Sequence, residues 1–180
     1  MRVSCGPQHW ILALVGFCAL CLSCVRPSLP SSVPHPLLGQ TIAPVRESTL
    51  DGRLLAFPKP GSVTVIDFWA TWCRPCLKIM PAIEQLWAEQ HGAGLEVVGV
   101  AVDDTPGLVI QAIRRLGVTY PNVLDSAGQV RGAFKVGEDL PQSFVIDRRG
   151  KVRFTSRGGA DGETDRIRAA VITLLAEEAP

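Results

Sequence analysis

The sequence predicts an α/β layer sandwich around a mixed sheet. Strand and helix patterns alternate from Val63 onward, Val63–Trp69 is an unbroken β-branched and aromatic run, and a hairpin pattern precedes the last helix.

A weakly patterned segment through Thr41–Leu50 turns at Asp51-Gly52 and continues as Arg53–Phe57, the pattern of an N-terminal hairpin that Pro58, Pro60 and Gly61 end. Val63–Trp69 lacks the alternation of a half-exposed strand, so it is expected at the centre, covered on both faces. Ile79, Met80, Ile83, Leu86 and Trp87 recur at helical spacing from about Pro75 to His91, and Gly92 and Gly94 close that helix. Leu95–Val102 is a second buried strand. Pro106–Leu116 is a short amphipathic helix closed by Gly117, Tyr120–Asp125 a short strand, and Ala127–Phe134 a further helix. Ser143–Asp147 and Lys151–Arg157 flank the turn Arg148-Arg149-Gly150, and a last helix spans Asp161–Glu177. There is no internal repeat, Gly-rich phosphate loop or coiled-coil heptad.

The chain has 180 residues, 47% hydrophobic and 19% charged, which excludes disordered, collagenous and multi-span membrane classes. All 17 acidic residues and 16 of the 18 basic ones follow Pro36, a net charge of −1 that gives no footprint for nucleic acid. Residues 1–36 read differently. Arg2 is followed by an uncharged run from Trp10 to Leu22, 13 residues where a bilayer core asks for about 20, so the pattern is an export signal over 1–23 and not a permanent span. Leu22-Ser23-Cys24 resembles the lipobox of bacterial lipoproteins, with Cys21 where that pattern more often has Leu, and the resemblance implies lipidation at Cys24. Residues 24–36, rich in Pro and Ser, are expected to form an extended tether, leaving 37–180 as the folded domain.

Four of the six cysteines lie in the leader, so Cys73 and Cys76 are the only two in the domain, placed where a strand ends and a helix begins. A helix start offers unpaired N–H groups and the positive end of the dipole, both of which stabilise a thiolate. Two intervening residues let the pair close a small disulfide ring, so Cys73 can attack and Cys76 resolve. Arg74 adds positive charge beside Cys73, and Pro75 suits a first helical turn, where its missing N–H costs nothing. A zinc site needs four ligands, and only His35 and His91 are at hand. A purely structural bridge over so short a loop removes little chain entropy. Thiol–disulfide exchange is the reading that the placement favours.

Phe68-Trp69-Ala70-Thr71-Trp72-Cys73-Arg74-Pro75-Cys76, with Leu140-Pro141 and Phe144-Val145-Ile146-Asp147 downstream, resembles the thioredoxin-fold superfamily and is similar to its membrane-tethered TlpA/ResA-like branch. The resemblance implies a thioredoxin-like three-layer sandwich, with residues near Pro106–Asp125 as the helix–strand insertion of that branch. It implies a cis Leu140-Pro141 bond facing the cysteines, with Leu140 backbone, Pro141, Trp72, Arg74 and Pro75 meeting the substrate polypeptide. Gln142 stands where the family more often has Thr. Asp67, in mid-strand, matches the buried acid that serves the resolving cysteine as general base; Ile66 and Phe68 beside it argue for burial, which raises a carboxyl pKa. Pro81 matches the family's helix-kinking proline. Trp69 and Trp72 are read as packing and rim around the disulfide.

The expected activity is therefore a protein disulfide oxidoreductase of the bacterial envelope, working as a reductase. No metal, flavin or nucleotide is needed, the disulfide being the redox group. The partners implied are protein thiols and disulfides, a transmembrane electron donor of the DsbD/CcdA type, and the membrane through a lipid on Cys24, with the domain a monomer. Three other functions use the same fold: apocytochrome c thiol reduction, peroxiredoxin-type peroxidase activity, and redox-inactive binding. Ile79 stands where cytochrome-maturation members often carry Glu, and the Trp-Cys-x-x-Cys arrangement speaks against a peroxidase, which usually has one peroxidatic cysteine with Thr three residues before it.

Overall fold

The computed structural model describes residues 28–103 and 105–177; the leader and Cys24 lie outside them. β1 (Val45–Ser48) and β2 (Leu54–Phe57) pair antiparallel as the expected hairpin. The remaining strands, β3 (Val63–Trp69), β4 (Leu95–Ala101), β5 (Asn122–Leu124), β6 (Gln142–Ile146) and β7 (Val152–Arg157), form one sheet in the order β5-β4-β3-β6-β7. β3 pairs parallel with β4 and antiparallel with β6, which makes the sheet mixed and β3 its centre. All seven residues of β3 are buried, as its continuous apolar run predicts.

Side chains alternate along β3. Val63, Val65 and Trp69 face a core completed by α1 (Arg74–Gln90), α2 (Pro106–Leu116) and α4 (Glu163–Leu175). Ile66 and Phe68 face a second core with Val130 of α3 (Gln129–Ala133), Phe134, Phe144 and Phe57. Phe68, Phe134 and Phe144 meet with ring centroids 5.4–5.8 Å apart at tilted or edge-on angles, the geometry aromatic quadrupoles favour. α1 contains Pro81, and α2 ends where Gly117 takes φ +67. Gly99, opposite Asp67 on β4, is obligatory for packing. A Cβ there would lie 2.0 Å from Asn122 Oδ1, the oxygen that accepts the Trp69 indole N–H at 3.0 Å.

The stretch before Leu37 corrects one expectation. It does not hang free: from Leu29, which packs on the α1/α4 core, it is docked on the domain. Val33 N–H donates to Thr155 O at 3.0 Å, the Thr155 hydroxyl donates to Val33 O, and the His35 ring stands edge-on to Phe144 at 4.9 Å. The reason is that proline-rich chain is already extended, and Val33 keeps both backbone groups free for an edge strand. Further on, Gly39 N–H bonds Val152 O, Ile42 N–H bonds Gly150 O, and Thr41 bridges to Lys151, so the segment runs antiparallel to β7 along its outer edge. The chain then crosses the second core, and Leu50 N–H reaches Asn122 O at the opposite edge of the sheet. Among the described residues no helix is long and apolar enough to cross a membrane.

Phe144→Ala empties the centre of the second core, and urea unfolding should show a loss of about 3–5 kcal/mol.

Candidate active site

β3 ends at Trp69 and the chain turns through Thr71 and Trp72 into α1, so the strand end fixes where the cysteines stand. Asp103, just beyond β4, holds that turn: its carboxylate accepts the Thr71 N–H at 2.9 Å and the Thr71 hydroxyl. Asp103 is a site residue that the sequence reading passed over. Its signal was position, since β4 runs parallel to β3 and the first polar side chains after both strands emerge side by side.

Cys73 and Cys76 form a disulfide with Cα atoms 5.3 Å apart. Cys73 is the N-cap of α1, and its sulfur accepts the Cys76 N–H at 3.2 Å. Cys73 is 5% exposed and Cys76 fully buried, so an incoming thiol or disulfide reaches only Cys73. The cap interaction and the 17-residue helix behind it favour a negative sulfur at Cys73 once the bond is reduced.

The residues expected at the rim differ in exposure. Trp72 is 66% exposed, Arg74 and Pro75 are exposed, and Trp69 is core. Leu140-Pro141 is cis, and Phe57-Pro58 is a second cis bond that the sequence reading did not anticipate. Gly158 N–H donates to Pro141 O at 2.9 Å and draws the β7–α4 loop against the site. Gly159, at φ +62, touches both prolines: a Cβ there would lie 2.8 Å from Pro75 Cβ and 3.5 Å from Pro141. On the other side, a groove of about 250 Å³ opens between Thr71 and Leu108, Gln111, Ala112 and Arg115 of α2.

Asp67 lies on the sheet face that α1 covers, the face against which Cys76 packs. It is fully buried. Oδ1 accepts the Ser143 hydroxyl at 2.7 Å, and Oδ2 has no protein partner. Burial pushes its pKa up to about 7, with the Ser143 hydrogen bond opposing and the charge of Glu163 adding to the rise. Tyr120, buried nearby, has its phenol pushed well above its ordinary range by burial and then by the charges of Asp67 and Glu84. Among the described residues no cluster of three or more His, Cys, Asp or Glu could hold a metal.

Two outcomes follow from this geometry. Between about pH 4 and 7 the folded protein keeps the Asp67 proton that the unfolded chain has lost, so this group's contribution to stability falls as pH rises through that window. Urea unfolding of Asp67→Asn should therefore gain on the wild type by about 3 kcal/mol between pH 5 and 8. Gly159→Ala, strained in φ and pressed on Pro75, should lower the rate of exchange with a peptide disulfide several-fold in stopped-flow while its rate with dithiothreitol changes less.

Comparison with known proteins agrees with the geometry. The sequence model of the AhpC/TSA family matches residues 49–155. Thiol-disulfide oxidoreductase ResA of Bacillus thuringiensis is 35% identical over 92 residues, covering 51% of this chain and 53% of its own. ResA of Geobacillus thermodenitrificans is 38% identical over 93 residues, covering 52% and 53%. The chain thus spans about half the length of the curated relatives it matches. Among solved structures, a Chlorobium tepidum chain described as a thiol:disulfide interchange protein DsbE superposes with a TM-score of 0.72 at 27% identity, over 83% of this chain and all of that one. A fold of this order with the cysteine pair at the head of α1, and a family match over the same residues, place the chain in the AhpC/TSA family of thioredoxin-fold proteins.

Proposed function

We propose that this protein is a thiol–disulfide oxidoreductase that reduces protein disulfides. The observation that carries it is the Cys73–Cys76 disulfide at the N-terminus of α1, with one sulfur at the surface and the other sealed beneath it. In the reducing direction the Cys73 thiolate attacks a substrate disulfide, forming a mixed disulfide and releasing one substrate thiolate. Asp67 takes the proton of Cys76. The Cys76 thiolate then attacks Cys73 Sγ, the enzyme disulfide forms, and the second substrate thiolate leaves. The two electrons gained by the substrate are those the cysteine pair loses.

The Leu140-Pro141 ledge, Trp72, Arg74 and Pro75 receive the substrate backbone, and the groove beside Thr71 takes a flanking side chain. The leader and Leu22-Ser23-Cys24 support an exported protein held by lipid in the bacterial envelope, where an oxidising environment requires a transmembrane donor of the DsbD/CcdA type to renew the dithiol. The Trp-Cys-x-x-Cys arrangement favours this reading over a peroxidase, and Ile79 favours general protein substrates over a dedicated apocytochrome role.

Equilibration with glutathione or dithiothreitol followed by thiol trapping measures the potential of the pair. A value near the thioredoxin level of about −270 mV is expected, and one near the DsbA level of about −120 mV overturns the reductase assignment. Cys73→Ser should abolish insulin reduction, whereas Cys76→Ser should retain the first attack and accumulate a mixed disulfide visible on non-reducing gels.

A further inference from the structure

Large apolar side chains left in water are few in this domain: among the described residues they are Leu38, Leu54, Trp72, Leu108 and Ile172. Leu54 lies on the N-terminal hairpin, Ile172 on α4 and Leu38 on the segment along β7. The other two stand at the disulfide. Trp72 belongs to the turn that carries Cys73, and Leu108, 52% exposed, lines the groove of about 250 Å³ whose opposite wall is Thr71, the neighbour of Trp72. An apolar side chain exposed beside a reactive sulfur asks what covers it when the site is in use.

α2 builds its side of the groove from one face. Leu108, Gln111, Ala112 and Arg115 are spaced three and four residues apart, so they form one row about 10 Å long. Ala112 is buried and short, which keeps the floor low, while Leu108, Gln111 and Arg115 rise into solvent. The charge is as one-sided as the row. Arg53, Arg131, Arg148, Arg153, Arg157 and Arg168 are all held by carboxylates or carbonyl oxygens of the domain. Arg115 has no such partner among the described residues, and neither has the Gln111 amide. Asp103, just before α2, is bonded to Thr71, and Glu84, past its far end, to Thr119, so each of these carboxylates is engaged elsewhere. Arg114 in the same last turn and Arg74 beside Cys73 add to the positive side.

We propose that this groove is a subsite for an acidic side chain of the substrate polypeptide, lying within about three residues of the cysteine that Cys73 attacks, with Arg115 and Gln111 holding its carboxylate and Leu108 packing its stem. The inference deepens the oxidoreductase reading and rests on it. A guanidinium offers a carboxylate two parallel N–H donors, and the Gln111 amide supplies a third from the next turn of the same row. The methylenes of Glu or Asp meet Leu108 and Ala112 on the way in. Thr71 is two residues from Cys73, and the Leu140-Pro141 ledge stands on the other side of the disulfide, so a substrate backbone seated on that ledge delivers residues from one side only of its cysteine to α2. The exchange chemistry is unchanged: the subsite sets which disulfides are met often and in the right register, as charge at an interface rim sets encounter and partner choice.

The test uses symmetric disulfide dimers of a short peptide with one cysteine, carrying a single Glu, Gln or Lys at successive positions on either side of it. Stopped-flow gives the second-order rate with the reduced protein. On one side of the cysteine only, Glu should react about fivefold to tenfold faster than Lys, with Gln between, and the ratio should shrink towards one as salt rises to about 1 M. Arg115→Gln should remove most of the preference and Arg115→Glu should invert it, whereas Arg74→Gln should leave its position along the peptide in place. The ratio is the readout, so a variant that folds poorly loses rate with all peptides alike and keeps it. Equal rates for Glu and Lys at every position, a preference that persists in Arg115→Glu, or one that vanishes in Arg74→Gln overturns the inference. The same peptides with Ser in place of Cys, titrated against the oxidised protein and followed by Trp72 fluorescence, should bind in the order Glu, Gln, Lys. A protein that binds them in this order and reduces none has lost the oxidoreductase reading alone, and one that reduces all of them equally has lost the subsite alone.

Discussion

The clamping of β3 between a parallel and an antiparallel neighbour is the constraint from which the site hangs. Because β4 and β6 hold it along its length, its last residue, Trp69, has a fixed position, and everything after it inherits that position. The parallel partner ends in Asp103, which grips Thr71. The antiparallel partner begins just after Pro141, which borders Pro75 through Gly159. The turn bearing Cys73 is thus held from both sides by the ends of the strands that flank it, and the site needs no long loop of its own.

Two opposed electrostatic settings stand within one turn of helix and one strand. At Cys73 the backbone amides and the helix dipole favour negative charge close to solvent. Below, at Asp67, full burial with a single hydroxyl donor penalises negative charge. A thiol that should ionise and a carboxyl poised near neutrality to take up a proton are what a sequential attack and resolution require, and both settings come from backbone placement and burial.

Much of this was legible in the sequence where a pattern repeats or a chemistry is local. Pro106 and Gly117 bound α2 to the residue, and the run Val63–Trp69 declared its central place. Asp67 could be read as buried because Ile66 and Phe68 flank it in an apolar run. What escaped were contacts made across the chain. Val33 looked like part of an unpackable stretch because its partner, Thr155, is more than a hundred residues away. Glu163 looked like an ordinary acidic residue in a helix's first turn, and only the packing of α4 on the sheet buries it without a partner. Asp103 was visible as a residue but not as a grip on Thr71, since parallel adjacency is a property of the sheet.

The segment from Val33 to Ile42 along β7, and Thr49 and Leu50 beside β5, close both edges of the sheet with the chain's own backbone. For the protein-disulfide reduction proposed above, this is a form of hygiene. Extended chains offer strands to any open ladder, and a sheet that accepted them would seed aggregates. With both flanks occupied, the proposed substrate meets the domain at the sheet's end, beside Cys73.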